Sequence, residues 1–246
     1  MDNIFSEKLR KALDHLNIRL TENQIETFNR FYEDLVEKNK VMNLTAITEM
    51  QDVITKHFAD SLALIRAVPD LGSGNRKIMD LGTGAGFPGI PLAIAFPNLD
   101  LVLADSLNKR ILFIKEECGK LGMENVTAIH GRAEDLARKP EYREKFDLCV
   151  SRAVANLSTL SEYCLPFVKE GGYFIPYKSG EIRQEAENAR TALKLLGGTL
   201  EKEIRFSLPE EEGERTLLKI RKTGLTPKKF PRKAGLPSKE PLSERK

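Results

Sequence analysis

Only three cysteines occur in the 246 residues, Cys118, Cys149 and Cys164, and none stands in a CxxC or Cys/His pattern. That odd, wide spacing supplies neither a disulfide framework nor a zinc site, so a reducing cytoplasm is the expected compartment. His15, His57 and His130 are equally scattered, and no metal is expected. No apolar run approaches the roughly 20 residues of a membrane-spanning helix, and the opening MDNIFSEKLRK lacks the apolar core of a secretory signal. No membrane partner is expected. Internal repeats and long low-complexity stretches are lacking too. What remains is 41% hydrophobic and 30% charged, a composition able to bury a sizeable core. The formal charge is only +3, but ten Lys or Arg face two acidic residues between Lys219 and Lys246. The basic excess therefore sits at the C-terminus.

Periodicity divides the chain into three regions. Residues 1–70 read as helices. Phe5, Leu9, Leu13 and Leu16 share one face of the first; the second opens at Thr21 with Gln24 three residues on, a capping-box pattern, and carries Ile25, Phe28, Phe31, Tyr32, Leu35 and Val36. A third helix is expected from Glu49 to Ala67, before the breaker-rich PDLGSGN. Residues 71–223 alternate short apolar runs (77–81, 99–105, 125–130, 146–151, 172–178, 199–206, 216–222) with helical stretches at 89–96, 106–121, 155–168 and 181–196. Such alternation predicts an α/β fold, a doubly wound parallel sheet whose last two strands pair antiparallel at the edge. Residues 224–246 form a basic tail; Pro227, Pro231, Pro237 and Pro241 predict an extended course.

The segment DLGTGAGFPG, Asp80 to Gly89, carries the chemistry. Gly82, Gly84 and Gly86 let the backbone turn at the end of the first strand and approach a ligand. No GK[ST] follows, which excludes a P-loop. The spacing is GxGxG, although Gly89 blurs its difference from a dinucleotide loop. Asp80 precedes Gly82 by two residues, where a carboxylate would repel a pyrophosphate but suit the amino and sulfonium groups of S-adenosylmethionine. Asp105 ends the second strand, 23 residues after Gly82, the position of a ribose-binding carboxylate. Glu134 follows the third strand in GRAED, within reach of an adenine ring. Either cofactor accounts for Asp105 and Glu134.

With these residues in view, the chain resembles the bacterial small-subunit (16S) rRNA guanine-N7 methyltransferases, the glucose-inhibited division protein B family. The resemblance runs nearly end to end, through NLTAI (43–47), KHFADSL (56–62), DLGTGAGFPG (80–89), DSLNKR (105–110), GRAED (131–135), SRAVANL (151–157) and TPKKFPRKAGLPSKEPL (226–242). It implies a class I S-adenosylmethionine-dependent methyltransferase fold with an N-terminal helical extension. It also implies S-adenosylmethionine as cofactor and small-subunit ribosomal RNA or the ribosomal subunit as partner. Gly82, Phe87, Ala133, Glu134 and Arg152 are the cofactor contacts that the resemblance implies. A monomer is expected.

The fourth strand, FDLCVSRAVA, carries no Asn/Asp-Pro-Pro-Tyr/Phe motif of the kind that orients exocyclic amines. Cys149 lies within the strand pattern and reads as a buried small hydrophobe, not as the nucleophile that carbon methylation needs. Guanine N7 suits both observations. It has an in-plane lone pair and no proton to remove, so positioning suffices and no general base is assigned. For the tail, phosphate contacts are expected from Lys228, Lys229, Arg232 and Lys233, with Phe230 stacking on a base. The alternatives are a dinucleotide-dependent oxidoreductase and a non-catalytic RNA-binding ribosome assembly factor.

Overall fold

Seven strands stand close to where the short apolar runs predict them: β1 (Arg76–Leu81), β2 (Leu99–Asp105), β3 (Val126–His130), β4 (Phe146–Ser151), β5 (Val168–Ser179), β6 (Gly198–Ser207) and β7 (Glu214–Lys222). The computed structural model describes residues 3–152, 155–180 and 182–242. The sheet order is β3-β2-β1-β4-β5-β7-β6. β1 to β5 are mutually parallel, and β7 runs antiparallel between β5 and β6. The edge pair is thus antiparallel, as the short loop between the last two runs requires.

Strand alternation distributes the core. Ile78, Leu101, Leu103, Leu148, Val150 and Leu217 enter one hydrophobic cluster; their chain neighbours Met79, Val102, Cys149 and Leu218 enter another on the opposite face. Helices α1 (Asn3–Leu13), α2 (Glu22–Met42), α5 (Gly89–Ala95) and α6 (Asn108–Leu121) cover the first face. Helices α8 (Leu157–Cys164) and α9 (Arg183–Leu196) cover the second. Phe5, Phe28, Phe31 and Phe58 pack in the same cluster as the sheet residues, so the N-terminal helices share the sheet's core.

The capping box at Thr21 and Gln24 is present. Gln24 does more than cap its own helix. Its Nε2 donates to the carbonyls of Ile94 (2.8 Å) and Ala95 (3.1 Å), orphan acceptors at the end of α5, and so ties α2 to the first crossover helix.

Three expectations need correction. The single helix expected over Glu49–Ala67 is instead α3 (Met50–Asp52), a π-helical turn Val53–Ala59, α4 (Asp60–Leu62) and a 3-10 turn Ala63–Arg66. The widened turn is invisible to a 3.6-residue period. β5 begins at Val168, not at Gly172, because Val168 already pairs with Phe146 before a register shift. Finally, the tail is not extended. It folds back on the second face, where Phe230 is buried and a short helix α10 (Leu236–Lys239) accepts Pro237 in its first turn.

Candidate functional site

At the end of β1 the chain turns through Gly82, Gly84 and Gly86, all at positive φ (73°, 62° and 94°). Gly82 N–H donates to Ala104 O of β2 at 2.8 Å, which seats the turn against the sheet. Gly89 serves packing: a Cβ there would lie 2.7 Å from Leu103 and 2.8 Å from Asp80 Oδ2. Asp80 is fully buried, and its Oδ2 accepts from Thr83 Oγ1 (2.6 Å) and Gly89 N–H (2.9 Å). Burial pushes its carboxyl up to about 7. Asp80 thus braces the loop from beneath through Oδ2, while its buried Oδ1 has no hydrogen-bond partner among the described residues.

Beyond the turn, the ends of β1 to β4 enclose a cavity of about 460 Å³. Gly82, Asp105, Ala133 and Glu134 line it, together with Leu107 and Ser151, which sequence reasoning missed. Asp105 is set rigidly. Its Oδ1 accepts from Leu107 N–H (2.8 Å), and its Oδ2 accepts from Gly84 N–H (3.0 Å) and Arg110 (3.2 Å). Gly84 thus acts through Asp105. Glu134, in the one-turn helix α7 (Ala133–Leu136), is buried, and its Oε1 accepts from Gly235 N–H at 2.8 Å. Gly235 and Ser238 of the tail complete the wall.

Phe87 and Arg152 lie elsewhere. Phe87 is a core residue whose ring stacks on His57, with centroids 4.4 Å apart and planes at 16°. The Arg152 guanidinium sits 5.1 Å from the same ring. From the end of β4 it donates to Asp60 Oδ2 (3.0 Å), Lys56 O (3.1 Å) and His57 Nδ1 (3.2 Å). An arginine can only donate, so Nδ1 is the acceptor and His57 Nε2–H donates to Thr45 Oγ1 at 2.9 Å. Burial and the Arg152 charge hold His57 down to about 3, so it stays neutral.

Arg152 faces a second, larger cavity of about 790 Å³. Lys56, Arg152, Lys178 and Arg215 line it, against Asp60 and Glu185. Ala155 borders both cavities, and the consecutive residues Ser151 and Arg152 border one each. The two spaces meet at the end of β4. Lys178 is fixed there by Glu185 (2.7 Å) and Ala155 O (2.6 Å). Sequence reasoning assigned Lys56, Asp60, Lys178 and Arg215 no role, because the π turn, β5 and β7 bring them together from distant segments. KHFADSL was the one available signal. Ala153 and Val154, within SRAVANL, lie outside the described residues.

In the tail, Lys228, Lys229 and Lys233 are exposed, as phosphate contacts require. Arg232 is not free. It donates to both carboxylate oxygens of Glu162, at 2.7 to 3.1 Å, and to Glu240 O at 2.7 Å. The buried ring of Phe230 cannot stack on a base. Lys222, part of the basic excess, is itself buried against Leu165 O, Thr226 and Glu144. Cys149 is fully buried, and burial raises its thiol far above the usual range, in keeping with a packing role.

A doubly wound sheet with an antiparallel edge pair, a glycine-rich turn after β1 and buried carboxylates after β2 and β3 defines a class I methyltransferase. Residues 24–212 match the GidB family, rRNA small subunit methyltransferase G, and the chain belongs to that family. It is 53% identical to the ribosomal RNA small subunit methyltransferase G of Lachnoclostridium phytofermentans, over 96% of this chain and 97% of that one. Its likeness to the protein of the same name from Brevibacillus brevis is 48%, over 96% and 98%. Among solved structures, a putative sarcosine dimethylglycine methyltransferase from Galdieria sulphuraria shares the fold (TM-score 0.53, 14% identity, 71% of this chain and 88% of that one). So does the Methanococcus jannaschii fibrillarin pre-rRNA processing protein (TM-score 0.50, 17%, 62% and 69%). No helix among the described residues is long and apolar enough to cross a membrane, and these residues hold no group of three or more His, Cys, Asp or Glu suited to a metal.

Proposed function

We propose that this protein transfers a methyl group from S-adenosylmethionine to N7 of a guanosine in small-subunit (16S) ribosomal RNA, in the cytoplasm. The observation that carries this reading is the meeting of two cavities at Ser151, Arg152 and Ala155, one acidic and glycine-rimmed, the other lined by four basic side chains against two acidic. The smaller, at about 460 Å³, suits a nucleoside-sized ligand. Its donor set fits that cofactor: the Gly82 backbone for the amino-acid end, Asp105 for the ribose hydroxyls, Ala133 and Glu134 for the adenine edge. When bound, S-adenosylmethionine supplies an electrophilic methyl group.

The chain's own task is positioning. His57 and Asp60, beside the larger cavity, are both committed to Arg152, so neither is poised to take a substrate proton. An acceptor that carries no proton, such as guanine N7, matches that arrangement. Holding it in line with the methyl group supplies on the order of 7–11 kcal/mol of barrier lowering. Lys56, Lys178 and Arg215 line this recess in ion pairs with neighbouring carboxylates, and they meet the phosphates of an entering nucleotide by exchanging those partners. A base must leave its stack to reach such a recess, which favours loop or unfolded RNA. The exposed Lys228, Lys229 and Lys233 offer further phosphate contacts.

Thermal shift with S-adenosylhomocysteine and with NAD tests the cofactor. A rise in Tm with the first alone is expected. Stabilisation by NAD alone would restore the oxidoreductase alternative.

A further inference from the structure

The basic C-terminal segment is bonded at several points to the elements around the smaller cavity, and at Glu134 to the cavity wall itself. Its root is fixed by Arg143, which donates to Thr226 O (2.7 Å) and Phe230 O (3.0 Å), and by Glu144, which accepts from Thr226 N–H (2.8 Å). The Phe230 ring is buried in the second core cluster. Next, Arg232 closes a bidentate pair on Glu162, whose side chain is 1% exposed. Thr159 Oγ1 of α8 donates to Pro237 O at 3.0 Å. Between these anchors, Gly235, at φ 81°, turns its N–H onto Glu134 Oε1 at 2.8 Å.

From this geometry we infer that residues 230–240 are a strap that builds the adenine end of the cofactor pocket, with Gly235 as the positioning residue for Glu134. One oxygen of Glu134 is held by Gly235 N–H, which fixes the carboxylate plane and leaves Oε2 for the ligand. Gly235 and Ser238 also line the cavity directly. The inner face of the segment is therefore part of the cofactor site, while Lys233 and Lys239 face solvent. The inference rests on the reading of this cavity as the S-adenosylmethionine site.

Two variants of the full chain test it. Arg232→Gln breaks the bidentate anchor. Gly235→Ala keeps that anchor, and its added Cβ meets nothing within 4 Å, so it disturbs only the backbone at positive φ that aims the N–H. Calorimetry or competition would measure affinity for S-adenosylhomocysteine and for S-ribosylhomocysteine, which lacks the adenine. The first should weaken by about five- to tenfold in both variants, as for loss of one hydrogen bond and its alignment, while the second stays unchanged. Parental affinity for both ligands, with any loss confined to RNA, would overturn the strap. Equal loss of both ligands would show a general collapse of the pocket and overturn it as well. Failure of the parent protein to bind S-adenosylhomocysteine would instead sink the cofactor reading.

Discussion

Arg152, at the end of β4, reaches Asp60 Oδ2 at 3.0 Å and so ties the sheet to the N-terminal helices at the junction of the two cavities. Both groups are largely buried, and burial pushes the Asp60 carboxyl up against the downward pull of Arg152. Arg152→Ala would leave that carboxylate without its main counter-charge. The expected loss is about 2–4 kcal/mol of stability, together with most methyl transfer. Adding Asp60→Asn should recover part of the stability and little activity. Denaturant unfolding of the four proteins in the double-mutant cycle checks this, and strictly additive losses would show that the pair is not coupled.

Glu117 on α6 is fully buried, and neither carboxylate oxygen has a hydrogen-bond partner among the described residues. Burial raises its carboxyl to about 7, with the nearby Asp34 adding to the shift. Its folded value lies above the unfolded value of 4.5, so the folded chain holds the proton longer. Ionising Glu117 therefore costs stability progressively as pH rises from about 4.5 to 7, and the cost is complete above that range. Glu117→Gln should stabilise the protein by about 1–3 kcal/mol at pH 8, with the gain shrinking toward pH 5. Melting curves at the two pH values measure it; an equal Tm difference at both would refute the titration.

The cofactor pocket gives a graded pair. Gly82 lies at φ 73°, where a branched side chain is strained and would project at the ligand. Gly82→Val should abolish S-adenosylmethionine binding, whereas Glu134→Ala should weaken it by about 1–3 kcal/mol. Calorimetric titrations showing parental affinity in both would remove the site from this turn.

Cys149 is the sharpest check on the chemistry. Because its thiol is buried and held protonated, Cys149→Ala should retain methyl transfer with some loss of stability, and no covalent RNA adduct should form. An adduct trapped in the parent protein and absent from the variant would mean attack at carbon.

Much of this molecule is legible in the sequence because its signals are local. The alternation Ile78–Met79 and Leu217–Leu218 marks strands buried on both faces, the Thr21–Gln24 box marks a helix start, and the loop after β1 needs its glycines wherever it folds. Asp105 and Glu134 were singled out because one ends a strand and the other closely follows one, and Ala133 came from the family resemblance; all three line the smaller cavity. What escaped depends on distant partners. Asp80 reads as a ligand residue in the sequence, but only the fold shows that Thr83 and Gly89 hold its Oδ2 and leave a buried, unpartnered Oδ1. Arg232 looks like a free cation until the fold brings Glu162 from 70 residues away. The larger cavity takes Lys56 from a π turn, Lys178 from β5 and Arg215 from β7, a juxtaposition that no spacing rule contains.

The most direct measurement is the position of the transferred methyl group. Purified protein, S-adenosylmethionine carrying an isotopic methyl label and small-subunit rRNA lacking the modification would be combined. The RNA would then be digested to nucleosides and resolved by mass spectrometry. Labelled 7-methylguanosine, close to one per rRNA molecule and lost with Gly82→Val, is the expected product. Label on an exocyclic amine, on a pyrimidine carbon or on a ribose hydroxyl would contradict a proton-free acceptor, and an unlabelled RNA would contradict methyl transfer to this substrate.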